Sequence, residues 1–200
     1  MLNTSTGQSA RDRLLTVAER LFLESGYDKV SVRAINTAAG MNPAAVHYHF
    51  GSKDALVAAL LESRMAPVWQ DRLSDLLERR DQGWTPAVAE LVDVVLTPLA
   101  DLTADPIGRL HVQLLARFVL GRSELEWTSR WFSLQPWVAL LRAARPDLSG
   151  KEAARRWILA FDLILQSFGA PLTTFGAVGS SGTAHVDTVR AFVTAGLDAP

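Results

Sequence analysis

The chain of 200 residues contains no cysteine. Disulfides and thiolate chemistry are excluded, an absence compatible with a reducing compartment. Long apolar runs are missing too: none reaches the ~20 residues that a membrane-spanning helix needs. The first residues, M-L-N-T-S-T-G-Q, lack a basic-plus-apolar leader. A soluble, cytoplasmic protein with no membrane partner is the expectation. An excess of charge of either sign is lacking as well: 20 Lys and Arg stand against 21 Asp and Glu, a net charge of −1. Such a balance gives no general attraction for nucleic acid. Glycine-rich phosphate loops, G-x-S-x-G elbows and the H-E-x-x-H spacing are all absent. His47 and His49 lie two apart, so on a helix they diverge by roughly 200° and cannot share an ion. His111 and His185 stand alone. No metal site, no cofactor and no catalytic residue are expected, so the chain reads as a non-enzyme.

What is present is a globular composition, 48% hydrophobic and 20% charged, with helical periodicity and no alternating strand pattern. The organising stretch runs from Ser31 to Lys53. Gly40 sits where a helix end tolerates positive φ. Asn42 is a good N-cap, and Pro43 is placed at the first helical position, where its missing N–H costs nothing. A helix stop, a spacer and a helix start within a few residues is a helix-turn-helix signature. On the second helix Val46 and Phe50 point inward with Met41. Asn42, Ala44, Ala45, His47 and Tyr48 remain outside or at the edge, a small and polar face suited to a groove. Ser52 can cap the next helix. This puts Lys53 at its first position, where a cation is disfavoured unless a phosphate joins it. The charge around this stretch is nearly balanced: Arg11, Arg13, Arg20, Lys29, Arg33 and Lys53 face Asp12, Glu19, Glu24, Asp28 and Asp54.

Three runs resemble the TetR family of transcriptional regulators. G-M-N-P-A-A-V-H-Y-H-F-G-S-K-D-A-L, Gly40 to Leu56, is similar to the family signature. R-x-x-L-L-x-x-A-x-x-L-F-x-x-x-G-Y from Arg11 to Tyr27 resembles its first helix, and S-V-R-A-I its second. The resemblance covers about the first quarter of the chain. It implies an all-helical homodimer with an N-terminal DNA-binding domain and a C-terminal ligand-binding and dimerisation domain. It also implies release from an operator when a small molecule binds. By position it makes Arg33 a DNA contact, Asn42, Ala44, Ala45, His47 and Tyr48 recognition-helix residues, and Lys53 the phosphate-contacting lysine. Three positions depart from the pattern. Histidine occupies position 47, where the family commonly has tyrosine, with tyrosine next to it. Val32 replaces a frequent threonine, and Pro43 an often polar residue. The operator sequence therefore does not transfer.

The domain division expected is 9–55 for the helix-turn-helix domain and 56–200 for a helical effector-binding and dimerisation domain, about nine helices in all. Ser9 and Gly26 bracket the first helix. Pro67 should bend or restart the helix that begins at Ser52, and Pro136 should kink or split a later one. Start signals recur at Thr85-Pro86, Asp105-Pro106, Ser123 with Glu126, and Ser149 with Glu152. A Gly/Ser-rich connector, F-G-A-V-G-S-S-G, precedes the last helix.

Aromatics crowd the C-terminal region, interleaved with polar groups, as in small-molecule sites. The pocket expected is Trp69, His111, Arg117, Phe118, Trp131, Trp137, Phe161, Asp162 and Gln166, holding an apolar or aromatic effector with a polar handle; the alternative is an ordinary core. Asp162 could cap, pair or face a cavity. The nearly all-apolar segment Lys151 to Phe168 and the stripe on the final helix resemble the family's four-helix dimer interface. The residues expected there are Trp157, Phe161, Ile164, Leu165, Phe168, Val186, Val189, Val193 and Leu197, unless they form a monomer core. The partners expected are thus double-stranded DNA with a palindromic operator, a second copy of the chain and an unidentified small molecule. A regulator controlled by a protein partner, a DNA-compacting protein and an activator all remain open alternatives.

Overall fold

Helix starts in this chain are set by short polar side chains that take up the N–H groups a first turn leaves free. In the computed structural model, which describes residues 9–121, 127–169 and 183–200, Ser9 Oγ accepts from Asp12 N–H at 3.0 Å and opens α1 (Ala10–Ser25). Gly26, at φ +81°, ends it. A single 3-10 turn, Tyr27–Lys29, leads to Ser31, whose hydroxyl accepts from Ala34 N–H at 3.1 Å and opens α2 (Val32–Ala38). Gly40, at φ +61°, makes the turn, and α3 (Ala45–Phe50) follows. Ser52 Oγ then accepts from Ala55 N–H at 3.0 Å at the start of α4 (Lys53–Asp81).

The chain divides into two units, Met1–Leu60 and Leu61–Pro200. Leu14, Leu15, Phe22, Ile35, Val46 and Leu56 form the centre of the first, each at most 1% exposed. Full burial of such side chains contributes about 1.5–3 kcal/mol each.

The second unit continues α4 and adds α5 (Val88–Leu102), α6 (Pro106–Leu120), α7 (Gln135–Ala144), α8 (Gly150–Gly169) and α9 (Thr183–Asp198). Nine α-helices and no strand occur among the described residues. Pro67 neither stops nor restarts α4, which runs unbroken through it. Its ring faces solvent, and Leu61, Met65, Trp69, Leu73 and Leu76 bury an inner stripe on both sides of it, which offsets the missing hydrogen bond. Helix α5 starts two residues later than Thr85-Pro86 suggests, because Glu90 Oε2 accepts from Ala87 N–H at 3.0 Å. Asp105 caps α6, its Oδ1 accepting from Ile107 and Gly108 N–H at 2.9 Å each. Pro136 falls in the first turn of α7 and so begins a helix instead of kinking one. Ser149 Oγ accepts from Glu152 N–H at 3.1 Å at the start of α8. The Ser123–Glu126 start signal and the Gly/Ser-rich connector lie outside the described residues.

Helix α8 is packed against α6, α7 and α9. Trp157, fully buried, donates its indole N–H to the Trp137 carbonyl at 2.8 Å. At the other end of α8, Gly169 approaches α6 so closely that a Cβ there would overlap Ala116 Cβ and stand 2.8 Å from the Val112 carbonyl oxygen. The last turn of α9 is held by Arg156, which donates to the carbonyls of Leu197 at 3.1 Å and Ala199 at 2.6 Å.

Candidate nucleic-acid interface and effector cavity

In the first unit the turn between α2 and α3 is fixed by a buried amide. Asn36, 1% exposed, donates Nδ2–H to the Pro43 carbonyl at 2.6 Å and accepts the Val46 N–H through Oδ1 at 3.0 Å. Its own carbonyl accepts from Met41 N–H at 2.9 Å. One side chain thus satisfies both polar groups that a short, buried turn would leave unpaired. Asn36 was not among the expected functional residues. The signal was available: a polar residue beside Ile35 on the inward side of a short helix needs partners in the protein.

Asn42 acts as a cap, its Oδ1 accepting from Ala44 N–H at 2.9 Å. Helix α3 nevertheless begins at Ala45 and not at Pro43. Pro43 and Ala44 form a turn ahead of it, which frees the Pro43 carbonyl for Asn36. A second correction concerns Ala45, which is 6% exposed and packs inward beside Val46; it is not on the outer face. Asn42, Ala44, His47 and Tyr48 are exposed, Tyr48 at 84%. His47 Nδ1 lies 2.7 Å from the Gly51 carbonyl. A carbonyl accepts only, so Nδ1 carries the proton in this contact. Arg33 is exposed in the first turn of α2.

Lys53 is not the bare cation that its position suggests. Its ammonium donates to the Tyr27 carbonyl at 2.6 Å and stands 3.8 Å from the centre of the Tyr27 ring. The Tyr27 hydroxyl in turn donates to Asp54 Oδ1. The contact with the Tyr27 carbonyl and ring orients the lysine.

The second unit contains a cavity of about 380 Å³, within the range of small-molecule sites. Six aromatic side chains line it: Trp69 on α4, Phe118 on α6, Trp127 and Phe132 before α7, Trp137 on α7 and Phe161 on α8. Trp127 and Phe132 are stacked with centroids 4.7 Å apart, and Phe161 meets Trp137 edge-on at 5.5 Å. Aliphatic side chains such as Leu99, Leu115 and Ile158 complete the wall, with Ser133 and Asp162 as its polar side chains. An adjoining cavity of about 440 Å³ shares Val119, Ile158 and Asp162 and includes Gln166.

Five of the expected pocket residues therefore meet in one cavity: Trp69, Phe118, Trp137, Phe161 and Asp162. Gln166 lines only the adjoining one. His111 is buried on α6 at 5% exposure, away from the lining, and Arg117 points to solvent. Neighbours on a helix differ by about 100°, so Phe118 can face inward while Arg117 cannot join it. The side chain of Trp131 lies outside the described ones.

The expected dimer surface needs the largest correction. Trp157, Ile164, Leu165, Val189, Val193 and Leu197 are each at most 6% exposed within a single chain. Phe161, Phe168 and Val186 are half-buried; Phe161 faces the cavity and Phe168 meets the His185 ring at 5.6 Å. The apolar stripes of α8 and α9 are spent on each other and on neighbouring helices. Their outward apolar residues are Leu159 and Phe192, both 70% exposed, and Ile158 at 49%.

Among the described residues no cluster of potential metal ligands occurs, and no helix is long and apolar enough to cross a membrane.

Residues 14–60 match the family model described as bacterial regulatory proteins, tetR family. The transcriptional regulator UidR of Escherichia coli is 35% identical over 113 residues, which cover 54% of this chain and 52% of UidR. The chain spans about half the length of the curated relatives it matches. Among solved structures, NalD, the secondary repressor of the MexAB-OprM multidrug efflux pump in Pseudomonas aeruginosa, superposes with a TM-score of 0.60 at 23% identity, over 94% of each chain. A complex of SmeT with triclosan superposes with a TM-score of 0.58 at 22% identity, over 92% of this chain and 91% of SmeT. At these identities the structural likeness is one of fold.

Proposed function

We propose that this chain, whose residues 14–60 match the model of bacterial regulatory proteins, tetR family, belongs to that family and is a cytoplasmic transcriptional repressor released from a palindromic operator by a small apolar or aromatic ligand. The observation that carries the DNA reading is the outer face of α3. A phenol 84% exposed and an exposed imidazole project from a helix whose approach is locked by Asn36, and the exposed Asn42 amide sits in the turn ahead of it. Large exposed side chains of this kind suit base edges in a major groove. Arg33 and Lys53 supply phosphate contacts, which position the reading helix without specifying sequence.

The repressor acts as a homodimer. Leu159 and Phe192, on the outward faces of α8 and α9, form the apolar centre of the interface, and a two-fold axis pairs two reading helices with half-sites about 34–36 Å apart. The effector binds the aromatic cavity of the second unit, and occupancy favours a state with weaker operator affinity through differential binding to two states.

Selection of DNA fragments by the purified protein, with and without candidate ligands, tests this reading. Enrichment of a short palindrome that ligand abolishes is the outcome expected. The near-balanced charge of the first unit, six basic against five acidic side chains by the sequence, favours a second reading, an architectural or partner-controlled DNA-binding protein. Broad genomic occupancy without sharp palindromes would support that one instead.

A further inference from the structure

The aromatic cavity of the second unit carries two polar features that its apolar walls do not explain. Asp162 on α8 is the only ionisable group in the described lining, and no hydrogen bond or ion pair engages it among the described residues. Trp69, 8% exposed, also lines the cavity, and its buried indole N–H has no acceptor among the described residues. A buried donor without a partner is unfavourable, and a carboxylate beside aromatic rings attracts positive charge while repelling anions. The rings add to that preference, because their faces are electron-rich and favour a cation lodged against them. Trp127 and Phe132, stacked 4.7 Å apart, provide a flat wall.

From this we infer that the effector is a planar aromatic cation bearing a hydrogen-bond acceptor, its charge held by Asp162 and its acceptor by the Trp69 indole N–H. The inference rests on the reading of this cavity as the effector site and names the class of compound that the site takes. A neutral hydrocarbon would leave both polar groups unanswered. An anion would meet Asp162 with no compensating cation among the lining residues described. The cavity, about 380 Å³, accommodates a three-ring skeleton with small substituents.

Isothermal titration of the full chain with three probes of one shape tests the inference: a methoxy-substituted N-methylacridinium cation, the uncharged methoxy-methylanthracene and an anthracene carboxylate. The cation is expected to bind about tenfold or more tighter than the neutral probe, and the carboxylate not at all. Asp162→Asn should bring cation and neutral probe to comparable affinity, while Asp162→Glu keeps the preference. Trp69→Phe should weaken the two methoxy probes by about tenfold and leave unsubstituted N-methylacridinium, titrated as a control, unchanged. Thermal melts of each variant verify that the fold is retained. A preference for the cation that survives Asp162→Asn, or equal binding of all three probes, overturns the assignment of a cationic effector while leaving a ligand site in place. Failure of every probe to bind, whatever its charge, overturns the effector-site reading itself.

Discussion

Asn36 and Val46 are joined by a 3.0 Å hydrogen bond from the α3 backbone N–H to the Asn36 side-chain oxygen, with the asparagine 1% exposed. The same amide holds the Pro43 carbonyl at 2.6 Å. The entry of α3 is therefore set by a side chain on α2 and not by the α3 cap alone. This bond makes the outer face of α3 a fixed surface.

Replacing Asn36 by Ala or Leu is expected to strand both the Val46 N–H and the Pro43 carbonyl, at about 1–3 kcal/mol for each group. Hydrogen exchange should show faster loss of protection at the Val46 amide than in the second unit, together with a large fall in DNA affinity. Asn36→Asp keeps the acceptor but sets a carboxylate against the Pro43 carbonyl, so it should be similarly damaging. Protection at Val46 that is unchanged in Asn36→Ala would remove the amide from its positioning role.

Lys53→Ala is expected to act twice. Loss of the bond to the Tyr27 carbonyl should lower the melting temperature. Loss of a phosphate contact should also reduce the slope of log affinity against log salt by about one unit per subunit. A lowered melting temperature with an unchanged salt slope would make the lysine purely structural.

Leu159→Glu and Phe192→Glu place a charge on apolar side chains that are 70% exposed in the single chain. Each should dissociate a dimer, seen as a halved mass in light scattering, with the melting transition of the second unit preserved. Val193→Glu, at a position 3% exposed, should unfold the C-terminal helices instead. A dimer that persists in both surface variants would place the interface elsewhere.

Gly169→Ala is expected to destabilise the second unit by about 1–3 kcal/mol, because the added methyl meets Ala116 and the Val112 carbonyl of α6. Chemical denaturation measures this directly. A neutral or stabilising outcome would mean that α6 and α8 separate there without cost.

Much of the first unit was legible because its signals are local. Ser9, Ser31 and Ser52 cap the helices that they precede, and Gly26 and Gly40 adopt the positive φ their positions call for. The start of α3 was misplaced because the deciding partner, Asn36, is seven residues from Pro43 in sequence. Faces of helices were less legible than the helices themselves. The stripe Val189, Val193 and Leu197 announces that a face is buried without saying by what, and here the covering surface belongs to the same chain. Likewise the aromatic residues of the cavity were identifiable by type, but Leu99, Leu115 and Ser133 join them only through packing. His111 and Arg117 share α6 with Phe118 yet lie on other faces of it.

The reading of DNA by the outer face of α3 is tested most directly by the affinity of Tyr48→Ala for a selected palindromic fragment, measured by fluorescence anisotropy. Tyr48 is 84% exposed, so its truncation should leave the melting temperature within about 1 °C, since surface changes of this kind are near neutral in stability. The affinity should fall by about tenfold or more. An unchanged affinity in the fully folded variant would contradict the account.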